Sequence, residues 1–332
     1  FPSRVADDLF WFGQSLDRAD FLARLLRSTI ERMTVESPAD VPELFGLIRA
    51  LADQGQIEPG FVIQSFSSQL PTLAEELPAM VANADEVRGL AAAIVEMDRL
   101  GSLERMWMSP DTVRKVRETA IEFRDSMQSG WRELVDVLEA INDLILNLAA
   151  ISGLISDGMV RGPAWRLLDM GRRIEHGKNI AGLLRSLMSE EHPLTRPELK
   201  TILEVIDCRM TYRSRYFDNI QQNGVLDLCL TDETCPRSLA VQLIALAEHV
   251  DALPADGQSL LRSEEKRSAM LALHAIRMIS PEQLEQTPAV ELEHLLKTTE
   301  EHLQSVSDIV TRKFLLHSGI PRQITSDLEL SQ

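Results

Sequence analysis

Cysteine, aromatic side chains and positive charge are all in short supply in this chain of 332 residues. The three cysteines, Cys208, Cys229 and Cys235, are an odd number without a Cys-x-x-Cys pair. That argues against a disulfide framework and a zinc site, and it points to a reducing, cytoplasmic setting. Aromatics are 5% of residues, and both tyrosines lie within one short string. No alternating Val/Ile/Thr run bounded by turn residues is long enough to build a sheet. No apolar stretch approaches the roughly 20 residues needed to cross a bilayer. Basic residues number 34 against 51 acidic ones, for a net charge of −17. Such a field repels phosphate backbones and anionic lipid, so neither nucleic acid nor a membrane is an expected partner. The first residues carry no signal-peptide pattern and no initiator Met, which suggests a chain cut from a longer one.

Chemical signatures are missing too. There is no Gly-rich phosphate loop, no Gly-x-Ser-x-Gly and no His-Glu-x-x-His. A di-iron bundle needs Glu-x-x-His on each of two helices, and only Glu291/His294 has that spacing. No metal and no cofactor held by the chain itself is expected.

What is present is helix. The chain is 44% hydrophobic, and Leu, Ala, Glu, Arg and Met dominate it. The expected class is all-α, a multi-helix bundle. Ser3 suits an N-cap, and Val5, Leu9, Phe12, Leu16, Ala19, Ala23, Leu26 and Ile30 form a seam at helical spacing. Phe10, Trp11 and Phe21 fall off that seam, so this helix is expected to be covered on more than one side. Pro38 and Pro42 end it, and shorter helices follow, with breaks near Gly55, Gly60, Pro71 and Pro78. Ser109-Pro110 opens a helix predicted to reach about Leu154, softened at Gly130. Thr195-Arg196-Pro197-Glu198 is a capping box, predicted to open a helix through about Tyr216. Residues 217–236 read as an ordered loop. Helices are predicted to restart near Pro236, Ser259 and Ser280-Pro281, with a frayed tail after Pro321.

One helix looks written twice. Residues 9–28 and 167–186, at an offset of 158, share Leu9/Leu167, Gly13/Gly171, Ala23/Ala181, Leu25/Leu183, Leu26/Leu184, Arg27/Arg185 and Ser28/Ser186. This predicts two related helical halves, 1–160 and 161–322, packed as one compact domain, with a tail at 323–332. Each copy places an acid four residues after its glycine, Asp17 and Glu175, on an otherwise apolar helix. A glycine there allows close approach by a backbone or a ligand. Arg18 follows Asp17, and Arg172 and Arg173 precede Glu175. These residues read either as buried acid–Arg substrate or proton-transfer sites, or as ion pairs that fix helix register. A cation is needed in both cases, and Arg124 and the arginines of 210–216 are natural suppliers.

A second candidate is Met210-Thr211-Tyr212-Arg213-Ser214-Arg215-Tyr216. Two tyrosines and two arginines there can grip a carboxylate or phosphate, or the arginines can pair with Asp17, Glu175 or Asp207. A third is Leu230-Thr231-Asp232-Glu233-Thr234-Cys235-Pro236-Arg237-Ser238, an acidic loop in which Asp232 or Thr234 can cap the next helix. Cys208 is either a nucleophile or, more commonly for such a setting, a buried core thiol.

These same residues resemble the Alpha-E domain family, an all-helical domain with a Glu-Arg motif. Ser3-Arg4-Val5-Ala6-Asp7-Asp8-Leu9-Phe10-Trp11-Phe12-Gly13 matches its start, with Gln14 where Arg is usual and Asp17-Arg18 for Glu-Arg. Gly171-Arg172-x-Ile174-Glu175 matches its second motif, with His176 in place of Arg and Gly177 in place of Ala. The strings 210–216 and Val225 to Leu239 match as well, with Cys235 in place of Asn. The resemblance implies a helical accessory domain, fused to or encoded beside a circularly permuted ATP-grasp ligase. Transglutaminase-like and proteasome-like proteins are neighbours in such systems. The implied activity is ATP-dependent amide or peptide bond formation, with ATP and Mg serving the ligase domain and an amino acid or peptide as substrate. Asp17, Arg18, Arg172, Glu175, Tyr212, Arg213, Arg215, Tyr216, Asp232 and Arg237 are the expected substrate-binding residues. A scaffold without a ligand site, and a stand-alone helical enzyme using Asp17 or Glu175 as base, are the alternatives.

Overall fold

In a computed structural model the described residues are 3–62, 66–188, 193–217, 219–253, 263–284 and 287–315. They form thirteen α-helices and no strand. The bundle is built around α1 (Ser3–Met33) and α7 (Pro163–Leu187), the two helices with the internal likeness, which pack against each other along their length. Both are apolar on several sides. Leu9, Phe10, Phe12, Leu16, Leu22, Leu25 and Leu26 of α1 are essentially inaccessible, as are Leu168, Met170, Ile174, Ala181 and Leu184 of α7. Side chains that point in all directions from a helix need neighbours all round.

Those neighbours come in matching sets. Helices α4 (Leu90–Leu103), α5 (Pro110–Gln128) and α6 (Leu134–Gly158) pack in succession, with α4 and α6 against α1. Helices α11 (Leu239–Asp251), α12 (Glu264–Arg277) and α13 (Ala289–Val310) also pack in succession, with α11 and α13 against α7. Between them, α2 (Leu44–Asp53) lies against both α1 and α7, and α3 (Phe66–Ala82) packs on α4 and α6. The short helices α8 (Arg196–Val205), α9 (Arg209–Tyr216) and α10 (Gln222–Leu226) lead into α11.

Local signals explain most boundaries. The Ser109 hydroxyl accepts from the Thr112 amide, and Pro110 occupies the first turn. Glu198 reaches back to the Thr195 amide at 2.7 Å, closing the predicted capping box. Several expectations are corrected. Pro71 and Pro78 lie inside α3 and do not end it, because Leu70, Leu73, Leu77 and Val81 hold that helix on the core. Gly130, at φ +84, ends α5 outright. The helix expected from 196 to 216 breaks at Asp207, whose φ is +59. Ser280-Pro281 opens only one tight turn, Pro281–Gln283, and α13 begins at Ala289. The cap of α11 is Ser238, which accepts from the Val241 amide, and neither Asp232 nor Thr234. The expected start near Ser259 and the tail after Pro321 lie outside the described residues.

Candidate functional site

The site grows out of the crossing of α1 and α7. A Cβ on Gly13 would stand 2.0 Å from the Leu168 carbonyl oxygen, and one on Gly171 would stand 2.1 Å from that of Phe10. Phe10 and Leu168 are themselves related by the offset of 158. The crossing is therefore one contact made twice, with backbone against backbone.

One turn further on, the acids are exchanged between the helices. Arg18 Nε donates to Glu175 Oε1 at 2.8 Å, and His176, which stands at the offset of 158 from Arg18, places Nδ1 2.9 Å from Asp17 Oδ1. Arg172 Nε donates to Asp17 Oδ2 at 2.8 Å. Its counterpart, Gln14, donates instead to Ser307 Oγ at 3.3 Å, and the buried Glu175 Oε2 has no hydrogen-bond partner. The cations thus come from the two helices themselves. Arg124 is exposed beside Asp125, and Arg215 pairs elsewhere.

Burial alone would push the Asp17 carboxyl up. The Arg172 guanidinium and the bond from His176 outweigh that and hold it well below the usual carboxylate range. An ionised Asp17 accepts, so Nδ1 of His176 carries the proton of this bond.

Around this pair opens a cleft of about 300 Å³. Leu16, Asp17 and Asp20 of α1 form one wall, with Ala149 and Ser152 of α6. Arg172, Arg173 and His176 of α7 form another, and Pro236, Arg237 and Gln242 close the end at the start of α11. Arg173 Nε pairs with Asp169 at 3.0 Å, and Asp169 also meets His249 Nε2 at 2.7 Å. Arg237 pairs with Asp20 at 2.9 Å, and Asp20 also holds Arg24.

Of the residues expected at a site, Asp17, Arg172 and Arg237 line the cleft. Arg18 and Glu175 form the second exchanged pair and do not line it. The string 210–216 makes a separate network that braces the segment before Arg237, which is not the expected loop but carries α10 and a π-helical turn, Asp227–Thr231. The Tyr212 hydroxyl donates to the Asn219 carbonyl at 2.9 Å and accepts from the Gln221 amide at 3.0 Å. The Tyr216 hydroxyl donates to Asp227 at 3.0 Å, and the two rings lie 4.8 Å apart. Arg215 pairs with Asp232, whose Oδ1 accepts from the amides of Thr234 and Cys235. Arg213 is exposed on the same helix. Sequence reasoning passed over Gln242 and the Asp169–His249 pair behind Arg173, and saw Asp20 only as an Asp where the family pattern has Glu. The signal for Asp169 was its place four residues before Arg173 on one helix face. His176 was visible only as a departure from the family pattern.

Residues 1–315 match the pattern of Alpha-E, described as a predicted alpha-helical domain with a conserved ER motif. The chain is 26% identical over 332 residues to the uncharacterized protein Rv2567 of Mycobacterium tuberculosis, covering 95% of this chain and 37% of the relative. The uncharacterized protein Mb2597 of Mycobacterium bovis matches with the same identity and coverage. The chain thus spans little more than a third of the length of these curated relatives. No solved structure matches it significantly.

Proposed function

The chain belongs to the Alpha-E family, and from that premise we propose that its α1–α7 cleft binds a small carboxylate-bearing ligand. In this reading the domain presents an amino acid or peptide to an ATP-grasp ligase domain, which holds ATP and Mg and forms the amide bond. The ligase and its substrate class rest on the family resemblance. The match covers 37% of each curated relative, so more than half of each lies outside it.

One observation carries the binding reading. Arg172 and Arg173 are anchored to buried acids through Nε, while among the described residues the hydrogen bonds of their Nη groups go to neutral partners. Arg172 Nη2 lies 3.5 Å from Ser152 Oγ, and Arg173 Nη1 lies 2.9 Å from Gln242 Oε1. A guanidinium fork prefers a carboxylate to a hydroxyl or an amide, so a ligand carboxylate gains by displacing them. Asp17 and Asp20 on the facing wall suit an ammonium group, and the volume fits an amino acid or a short peptide.

The scaffold reading has its own support, since each cleft arginine already pairs with an acid of the fold. Calorimetric titration of the chain with glycine, glutamate and alanyl-alanine separates the two. Arg173→Lys keeps a charge near Asp169 but removes the fork. It is expected to weaken ligand binding about tenfold, roughly 1.4 kcal/mol, with little change in melting temperature. If none of the three ligands gives heat, and Arg173→Lys leaves amide synthesis by the chain with its ligase domain unchanged, the binding reading fails.

A further inference from the structure

The three cysteines, scattered in sequence, gather in one buried region. Cys208 sits at the junction of α8 and α9, just after Asp207, and Cys235 sits in the turn before α11. Their sulfurs lie 3.7 Å apart, and the residues are only 1% and 2% exposed. Cys229 is buried in the π-helical turn Asp227–Thr231 between them in sequence.

The two sulfurs are not equivalent. Cys208 Sγ also lies 3.6 Å from the Ile206 carbonyl oxygen, and its thiol is pushed well up by the contact with Cys235 and by burial. The Cys235 thiol is held down to about 6, first by that same bond, then against the opposing effect of burial by the amides of Arg237 and Ser238 and the charge of Arg215. A low thiol beside the amides that open a helix is the setting of a reactive thiolate. Its neighbour supplies a second sulfur within about 1.7 Å of the bonding distance of roughly 2.05 Å.

We propose that Cys208 and Cys235 are a redox modification site that closes to an intramolecular disulfide on exposure to a peroxide. The Cys235 thiolate attacks a peroxide oxygen. An S–O bond forms, the O–O bond breaks, and the leaving hydroxide takes a proton to become water. Cys208 sulfur then attacks the sulfenic sulfur of Cys235. The S–S bond forms, the S–O bond breaks, and the Cys208 proton leaves with that hydroxide as the second water. Two thiols are oxidised and one peroxide is reduced. The bond ties α9 to the turn that carries Arg237, so the state of the sulfurs acts on the end wall of the cleft. Because both sulfurs are covered, the reaction proceeds through local opening of the loop, more slowly than at an exposed thiol.

The test uses the 332-residue chain and hydrogen peroxide, with thiols counted after denaturation. Native protein is expected to fall from three thiols to one, with a mass loss of two hydrogens and a Cys208–Cys235 cross-link in the non-reduced peptide map, reversed by dithiothreitol. Cys229→Ser, which spares the pair, is expected to fall from two thiols to none. Cys208→Ser, checked for folding by its melt, is expected to stop at a dimedone-trapped sulfenic acid on Cys235. The proposal is overturned if the native chain keeps all three thiols under conditions that oxidise the denatured chain. It is equally overturned if the cross-link joins Cys229 or two separate chains.

Discussion

A methyl group added at Gly13 or Gly171 must displace a carbonyl oxygen of the facing helix that stands about 2 Å away. Backbone cannot swing aside as a side chain can, so the helices have to separate. Gly13→Ala and Gly171→Ala are each expected to cost about 3 kcal/mol in a urea melt. Gly153 is exposed on α6 with nothing within 4 Å of its Cβ position, and Gly153→Ala should gain about 0.5 to 1 kcal/mol. A gain at Gly13 would contradict the crossing. The orphaned Glu175 Oε2 gives a second residue-scale expectation. Gln14→Arg restores at this position the donor that Arg172 provides to Asp17. It is expected to add about 1 kcal/mol, and the gain should vanish in the background of Glu175→Gln. The glycine-acid spacing was legible in the sequence because both segments, 9–28 and 167–186, show it. Which cation meets which acid was not, since the partners lie 155 to 159 residues apart and only the crossing geometry selects them. The tyrosine–arginine string was prominent for its rarity, and the structure gives it bracing contacts around residues 217–236.

At the scale of the element, start signals were easier to read than stops. Ser109-Pro110 and Thr195-x-x-Glu198 act through their own side chains, so four residues suffice to reveal them. Gly130 and Asp207 end helices through positive φ, a choice made by the packing on either side. The prolines of α3 show the converse, with burial of one face outweighing lost ladder bonds. The end of α4 carries a pH effect. Glu104 follows its last residue and lies against Asp8 of α1. Burial, the hydrogen bond with Asp8 and its charge push the Glu104 carboxyl up to about 7, from 4.5. An acid raised on folding favours the native state while protonated, so its contribution is complete below about 4.5 and is lost as pH rises through 7. Glu104→Gln is therefore expected to raise the melting temperature at pH 8 and to leave it nearly unchanged at pH 4.5. Equal effects at both values would mean the proton is not held there.

On the whole-molecule scale, α4–α5–α6 stands to α1 as α11–α12–α13 stands to α7. The all-α class followed from composition, but this arrangement did not, because the likeness read from the sequence is that of the α1 and α7 segments. The buried surface shared by α1 and α7 belongs to neither half alone. Residues 1–160 expressed separately are expected to show no cooperative melt, and mixing with residues 161–332 should restore one. An independent cooperative melt of either piece would show that the crossing is not where the stability resides.

The crossing also sets a timetable. Helix α1 is finished at Met33, yet the partner that covers its apolar sides is complete only at Leu187. At roughly 5 to 20 residues per second, a ribosome takes about 8 to 30 seconds to make the segment between them. For that interval the face of α1 that α7 covers has no partner, although α2, α4 and α6 reach its other sides as they are made. Newly made protein should therefore depend on holding chaperones in proportion to the delay, and slow codons between residues 34 and 187 should lower its soluble yield.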